Sequence, residues 1–211
     1  MNRRSFLTSA ALLAVVAGAA HPVLAQTGDR GPASARFIQD LGERAIDVLI
    51  RKDVNPAQIR REFNVILREG FDVPYIGRFV LGRYWQQATP DQQREYLNLV
   101  EKMIVDVYAD RFGQYAGQNL AIDKNLKILG QRLEGETDTI VSSQILRPDA
   151  PPVNVEWRVR DRGGRLSVID VAVEGVSMSV TQRNEFASVI QRGGGKIEAL
   201  LQALRQRVGS L

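Results

Sequence analysis

The chain has 211 residues, with 28 basic and 24 acidic side chains, no cysteine and a single histidine. Without cysteine it has neither disulfides nor thiolate-bound metals, so packing alone must hold the fold. Its isoelectric point is near 9.6, but the formal charge of +4 is small and interspersed, which argues against a nucleic-acid binder.

The first 25 residues read as a cleaved export signal. Arg3 and Arg4 form a basic start, Ala10 to Ala20 an apolar run, and Val23-Leu24-Ala25 a small-residue cleavage site. The apolar run is well short of the roughly 20 residues that span a bilayer. Asn2-Arg3-Arg4-Ser5-Phe6-Leu7 resembles a twin-arginine signal, and both that route and general secretion stay open. Removing 25 of 211 residues leaves 186; two of the 28 bases go, leaving 26 against 24 acids and a charge of +2. His21, the sole histidine, goes too. A mature chain without His or Cys excludes Ser-His-Asp and Cys-His nucleophile systems and the usual zinc sites. An enzyme would have to move protons with carboxylates, Tyr or Lys.

Residues 26–33 are polar with Gly and Pro, and are expected to form a flexible leader. A helix follows from about Ser34, with Phe37, Ile38, Leu41, Ala45, Val48 and Leu49 on one face. Asn55-Pro56 starts a second helix carrying Ile59, Phe63, Ile66 and Leu67, which Gly70 is expected to stop. Asp72 caps a short third helix through Ile76, Phe79 and Val80, closed by Gly82. Thr89-Pro90-Asp91-Gln92 predicts the start of a long helix with a capping box, running to about Tyr115. Its stripe of Tyr96, Leu97, Val100, Met103, Ile104, Val107, Tyr108 and Phe112 is the longest amphipathic surface in the chain.

After Gly117 the period becomes two. Leu126 and Ile128, Thr139 and Val141, then Val153, Val155, Trp157 and Val159 alternate with polar residues. Turns are expected at Glu134-Gly135 and Arg162-Gly163-Gly164. In Val168 to Phe186 the apolar residues are odd through Ile169, Val171 and Val173, then even through Val176, Met178 and Val180. A bulge at Glu174-Gly175 would cause that change, so the strand is expected to bend there and continue. Thr181 is then expected to cap a helix carrying Phe186, with a last helix from Lys196 to Val208. Helices first and strands later indicate an α+β domain, residues 34–211, with a curved antiparallel sheet of about four strands.

Asp170, Val173-Glu174-Gly175-Val176-Ser177, Thr181, Arg183 and Phe186 resemble the C-terminal signature of the MlaC, or toluene-tolerance, family. Phe71-Asp72, Leu81-Gly82, Trp85, Thr89, Gln92-Gln93, Tyr96 and Tyr108 resemble its central helical pattern. The resemblance implies a periplasmic phospholipid carrier, an auxiliary component of an ABC transporter. It implies a cone similar to nuclear transport factor 2, with helices across a curved sheet, C-terminal helices and an apolar pocket. The implied partners are phospholipid, an inner-membrane ATP-driven lipid transporter with a lipid-binding ring, and an outer-membrane lipoprotein complex. No cofactor, metal or catalytic residue is implied.

By itself the long stripe reads first as packed core, with the wall of an acyl-chain pocket as the alternative, whereas Val73, Tyr75, Ile76, Phe79, Val80 and Trp85 read equally as a packed short helix or a mobile pocket wall. With the resemblance, the expected lipid-binding residues on the helices are Val73, Tyr75, Ile76, Phe79, Val80, Trp85, Tyr96, Val100, Met103, Ile104, Val107, Tyr108 and Phe112. On the sheet side they are Val155, Trp157, Val171, Val173, Val176 and Met178. Arg158, Arg160 and Arg162 share a strand face, either solvated or a docking patch for an acidic partner or lipid headgroup. Gly175-Val176-Ser177-Met178-Ser179 lacks the last glycine of a nucleophile elbow, and Gly193-Gly194-Gly195 lacks phosphate-loop spacing. A carrier of another lipid, such as a hopanoid, is a close alternative. An isomerase-like enzyme using Asp170 and Tyr108, or an adaptor with a filled core, is a more distant one.

Overall fold

The computed structural model of the protein describes residues 30–51, 55–113, 122–147 and 150–209. The expected export signal and residues 26–29 lie outside them. In chain order the elements are α1 (Arg30–Ile50), α2 (Pro56–Gly70), α3 (Val73–Leu81), α4 (Tyr84–Gln87), α5 (Pro90–Gly113) and α6 (Ile122–Asn125). There follow β1 (Leu126–Glu134), β2 (Asp138–Arg147), β3 (Ala150–Arg162), β4 (Arg165–Val173), β5 (Val176–Ser177), α7 (Met178–Arg192) and α8 (Ile197–Gly209).

The helix starts follow their capping residues. Asn55 accepts a bond from the Gln58 amide at 2.9 Å, with Pro56 at the first helical position. Asp72 accepts from the Tyr75 amide at 3.0 Å. Thr89 and Gln92 cap each other: the Thr89 amide donates to Gln92 Oε1 at 3.1 Å, and the Gln92 amide to Thr89 Oγ1 at 3.3 Å. α1 begins four residues before Ser34, taking in Arg30–Ala33 of the expected leader. Arg30 explains the extension, because its guanidinium donates to the carbonyls of Gly135 and Glu136 in the β1–β2 turn. Gly70 does not stop α2 as a cap. It is the last helical residue, and a Cβ there would lie 2.6 Å from Leu41 Cδ2, so glycine lets α1 and α2 approach.

The sheet is an open antiparallel meander of five strands in the order β1-β2-β3-β4-β5. Val141, Trp157 and Val171 stand opposite one another on the helix-covered face, as do Thr139, Val159 and Val168. Ile140, Arg158 and Asp170 align on the other face.

The expected bulge at Glu174-Gly175 is instead a two-residue hairpin turn. Both residues have positive φ, 49° and 79°, and Val173 pairs with Val176 across them. A two-residue reversal changes apolar parity as surely as an inserted residue does, which is why the pattern allowed either. The register shifts lie elsewhere, at Ile128/Gly130, Ile145/Arg147 and Arg158/Val159. The last leaves Ile169 as the extra residue beside Val168, and both are buried. The cap of α7 is Ser177, not Thr181: the Val180 amide donates to Ser177 Oγ at 3.1 Å. Thr181 lies inside the first turn and donates to the Ser177 carbonyl at 2.9 Å.

The buried apolar side chains form two clusters. One joins α3, α4, α5, α7 and α8 through Val80, Tyr96, Val100, Met103, Ile190 and Leu201. The other joins α1, α2 and the far end of α5 to the sheet through Ile38, Ile66, Val105, Ala109, Val141, Val159 and Val168. α5 belongs to both. It packs chiefly on α2, α3 and α8, whereas α1, then α6 and α7, provide the main contacts with the sheet, with smaller ones from α2 and α3.

Candidate functional site

The two apolar clusters meet along a seam where several apolar side chains are only partly buried. Ile104 of α5 is partly buried and packs against both clusters. On the helical side, Ile76, Phe79, Trp85 and Val107 are also only partly buried. On the sheet side the same is true of Trp157 and Val171. Apolar side chains left half open on both sides of a shared residue suit an apolar ligand better than a polar one.

The expected site residues divide by depth. Val73, Val80, Tyr96, Val100, Met103 and Val155 are buried as core. Ile76, Phe79, Trp85, Ile104, Val107, Tyr108, Trp157, Val171 and Val173 are half-buried. The Phe112 side chain lies outside the described residues. Val176 and Met178 do not face a pocket beneath the sheet: beyond the hairpin turn they are exposed, at 58% and 39%. Leu99 and Val105 are buried on α5 yet fall outside the expected stripe. A helix buried on two sides shows no single apolar face, so periodicity alone did not select them.

Tyr75 is also placed differently. Its ring lies under Arg160, 4.6 Å from the guanidinium carbon, with Arg162 at 5.6 Å. It therefore belongs with the arginine row rather than with the apolar seam. The three arginines of that row are ion-paired, although Arg158 and Arg162 stay 41% and 55% exposed. Arg158 Nε and Arg160 Nε donate to the buried Asp138 carboxylate at 2.8 and 2.7 Å, and Arg162 pairs with Asp72 at 2.9 Å. Burial pushes the Asp138 carboxyl up, but hydrogen bonds from Arg160, Arg158 and Thr137 outweigh it and hold it well below the usual carboxylate range.

Polar bonds fix the apolar walls. The Trp157 indole donates to Ser143 Oγ at 2.9 Å, and that buried hydroxyl donates to the Val155 carbonyl at 3.2 Å. The indole thus keeps one rotamer while its ring stays half open. Tyr96 donates to the Gly77 carbonyl at 3.0 Å and meets Phe186 edge-on at 6.1 Å. Burial pushes the Tyr96 phenol far above its ordinary range, so it is a fixed donor and not an acid.

On the opposite face a polar depression is lined by Arg132, Glu134, Glu156, Arg158 and Asp170 with Ile140 and Ala172. Asp170 accepts from Ser177 Oγ at 2.6 Å, Ser179 Oγ at 2.7 Å and the Ser179 amide at 3.2 Å. It thereby anchors the start of α7, and Ser177 is committed to that carboxylate and to its cap. Glu174 similarly accepts from the Asn154 amide and side chain at 2.6 and 3.2 Å, and these bonds lower its pKa. The Arg183 guanidinium stacks over Phe79 at 5.2 Å, beside Gly82. Among the described residues no group of His, Cys, Asp and Glu could hold a metal ion, and no helix is long and apolar enough to cross a membrane.

A family model described as MlaC protein matches residues 39–206. Over 145 residues the chain is 22% identical to the toluene tolerance protein ttg2D of Pseudomonas putida, covering 68% of this chain and 65% of that one. Over 135 residues it is 21% identical to the intermembrane phospholipid transport system binding protein MlaC of Haemophilus influenzae, covering 64% and 61%. The chain thus spans a little under two thirds of the length of these curated relatives. Its fold matches the solved structure of a phospholipid-binding protein from Ralstonia solanacearum in complex with a phospholipid. The TM-score is 0.72 at 22% identity, over 83% of this chain and 97% of that one. The length of the family match, across both the helices and the sheet, means that the chain belongs to the MlaC protein family.

Proposed function

We propose that this protein is a periplasmic lipid carrier. Residues 34–211 act as one lipid-binding domain that takes phospholipid acyl chains into the seam between its two apolar clusters. The observation that carries this reading is Ile104, which packs against both clusters, together with half-buried Phe79 and Val107 on the one and Trp157 and Val171 on the other. Each methylene moved out of water is worth about 0.8 kcal/mol, so two tails of about fifteen methylenes would cost on the order of 24 kcal/mol to expose. Free diffusion of a lipid through an aqueous compartment is negligible at that cost. An apolar seam removes most of it, which leaves exchange between carrier and bilayer near balance.

Direction then comes from partners. We assign those to an inner-membrane ATP-driven lipid transporter with a lipid-binding ring and to an outer-membrane lipoprotein complex. The shuttling would maintain the lipid asymmetry of the outer membrane. The printed name of the Haemophilus relative, an intermembrane phospholipid transport system binding protein, supports this assignment. The carrier uses no catalytic residue in this scheme; Asp170 serves as an anchor for α7. The export signal ending at Ala25 supplies the route to the periplasm.

The test is extraction and mass spectrometry of lipid from purified protein, followed by loading with labelled phospholipid. Co-purifying phospholipid and uptake of the label are expected. A hopanoid in the extract would redirect the reading to that lipid, and protein that is empty and takes up no label would end it.

A further inference from the structure

The two ends of the sheet are finished differently. At the β4 end, β5 pairs with Ala172 and Val173, Phe71 bridges to Val168, and the Asp72 amide donates to the Val168 carbonyl at 3.0 Å. At the β1 end, no strand among the described residues pairs with the outer side of β1. This edge carries Leu129 and Leu133 at 50% and 49% exposure. A long bare edge is a template for another strand.

The register with β2 assigns the faces of β1. Ile128, Gln131 and Leu133 stand opposite Ser143, Val141 and Thr139, on the helix-covered side. Lys127, Gly130, Arg132 and Glu134 stand opposite Gln144, Ser142, Ile140 and Asp138, on the other side. Leu129 is the extra residue at the register shift, so Lys127 and Glu134 share a face although they lie an odd number of positions apart.

An antiparallel pair sets residues of the same face opposite each other, which limits how β1 can meet β1 of a second copy. With a two-fold axis at Gln131, Lys127 of each copy faces Glu134 of the other, Ile128 faces Leu133, and Gly130 faces Arg132. Neither Lys127 nor Glu134 is in an ion pair among the described residues, whereas Arg132 is held by Glu156 at 2.7 Å. Gly130 has open space where a Cβ would stand, which leaves room for the stem of the facing Arg132. The adjacent registers fail. Moving the axis to Gly130 sets Lys127 against Arg132, and moving it to Arg132 sets that residue against itself. Like charges directly opposite each other are destabilising.

We propose that β1 pairs with β1 of a second copy in this register, joining two five-stranded sheets about a two-fold axis at Gln131. The occupant is a second copy rather than a foreign strand because the edge complements itself in charge and in apolar residues in one register. A single strand pair is a small interface, so the dimer is weak and forms with rising protein concentration. The proposal does not rest on the carrier reading.

The chain has no cysteine, so single introduced cysteines report the pairing. Gln131→Cys puts two thiols at the axis, where facing Cα atoms lie about 4.5–5.5 Å apart, within disulfide reach. Two Leu133→Cys side chains would lie roughly 13 Å apart along the strands, out of reach. Mild oxidation of the purified protein should therefore cross-link Gln131→Cys and spare Leu133→Cys. Sedimentation equilibrium measures the dimer of the parent. Lys127→Glu or Glu134→Lys should weaken it by roughly tenfold, because each sets like charges opposite twice per dimer. The double variant K127E/E134K should restore it, and thermal melts report whether all the variants fold. A parent that stays monomeric at millimolar concentration would overturn the proposal, including one whose edge takes up only a foreign peptide. So would Leu133→Cys that cross-links as readily as Gln131→Cys, folded single charge variants that dimerise as the parent does, or a folded double variant as weak as the singles. Lipid extracted from the same preparations reports the carrier reading separately.

Discussion

The Tyr96 hydroxyl donates to the Gly77 carbonyl at 3.0 Å, at a point where α3 lies so close to α5 that a Cβ on Gly77 would sit 2.6 Å from Leu97 Cδ2. One residue supplies the hydrogen bond and the other the room for it. Tyr96→Phe should cost about 1 kcal/mol by removing this buried hydrogen bond. Gly77→Ala should cost about 1–3 kcal/mol by pushing Leu97 aside. Urea denaturation measures both, and Gly77→Ala matching the parent would show that α3 is free to move outward.

Asp138 should make stability depend on acid. Its folded pKa is lowered, so its contribution is complete above the unfolded value of about 3.9 and is lost as pH falls below it. Asp138→Asn should destabilise the protein at neutral pH by about 2–3 kcal/mol, less than a fully buried pair because the Arg158 side chain is 41% exposed. The gap between variant and parent should narrow from pH 5 towards pH 2. A gap that stays constant over that range would mean that the arginines do not depend on the carboxylate charge.

Ile104→Trp should fill the seam without adding charge. We expect less co-purifying lipid, by at least several-fold, with stability changed by no more than about 1–3 kcal/mol. Extraction and denaturation of the same sample separate the two effects. Undiminished lipid in the variant would place the acyl chains elsewhere.

The β4–β5 reversal should resist side chains. Gly175 has φ 79°, where an L-residue costs roughly 1–2 kcal/mol. Gly175→Val should therefore lower the melting temperature, whereas Val176→Ser at the exposed neighbouring position should leave it nearly unmoved. Equal effects at the two positions would argue against a fixed turn.

Local chemistry was the legible part of this sequence. Asn55, Asp72 and the Thr89–Gln92 pair each announced a helix start through a side chain that reaches only three residues along, and each does so in the fold. Alternation likewise marked β2 and β3. Glu174-Gly175 was ambiguous because a bulge and a two-residue turn leave the same parity trace. The partners of the arginine row were hidden for another reason. Arg158 and Arg160 meet Asp138 across some twenty positions, through strand register that no local pattern encodes. Tyr75 followed the apolar residues of α3 in composition, but its ring went to those arginines. Of the candidate site, the long α5 stripe was readable, while its division between two clusters was not.

The helical cluster also sets the order in which the chain can mature. It joins Val80 to Leu204, and Arg205 reaches back to Glu95 at 2.6 Å over 110 residues. During synthesis α3 and α5 leave the ribosome long before α7 and α8 exist to cover them. Tyr96, Val100 and Met103 must then wait with their apolar faces uncovered until α7 and α8 are made. The helical cluster therefore closes only once α8 is present, and nascent chains stopped before α8 should be clients for holding chaperones.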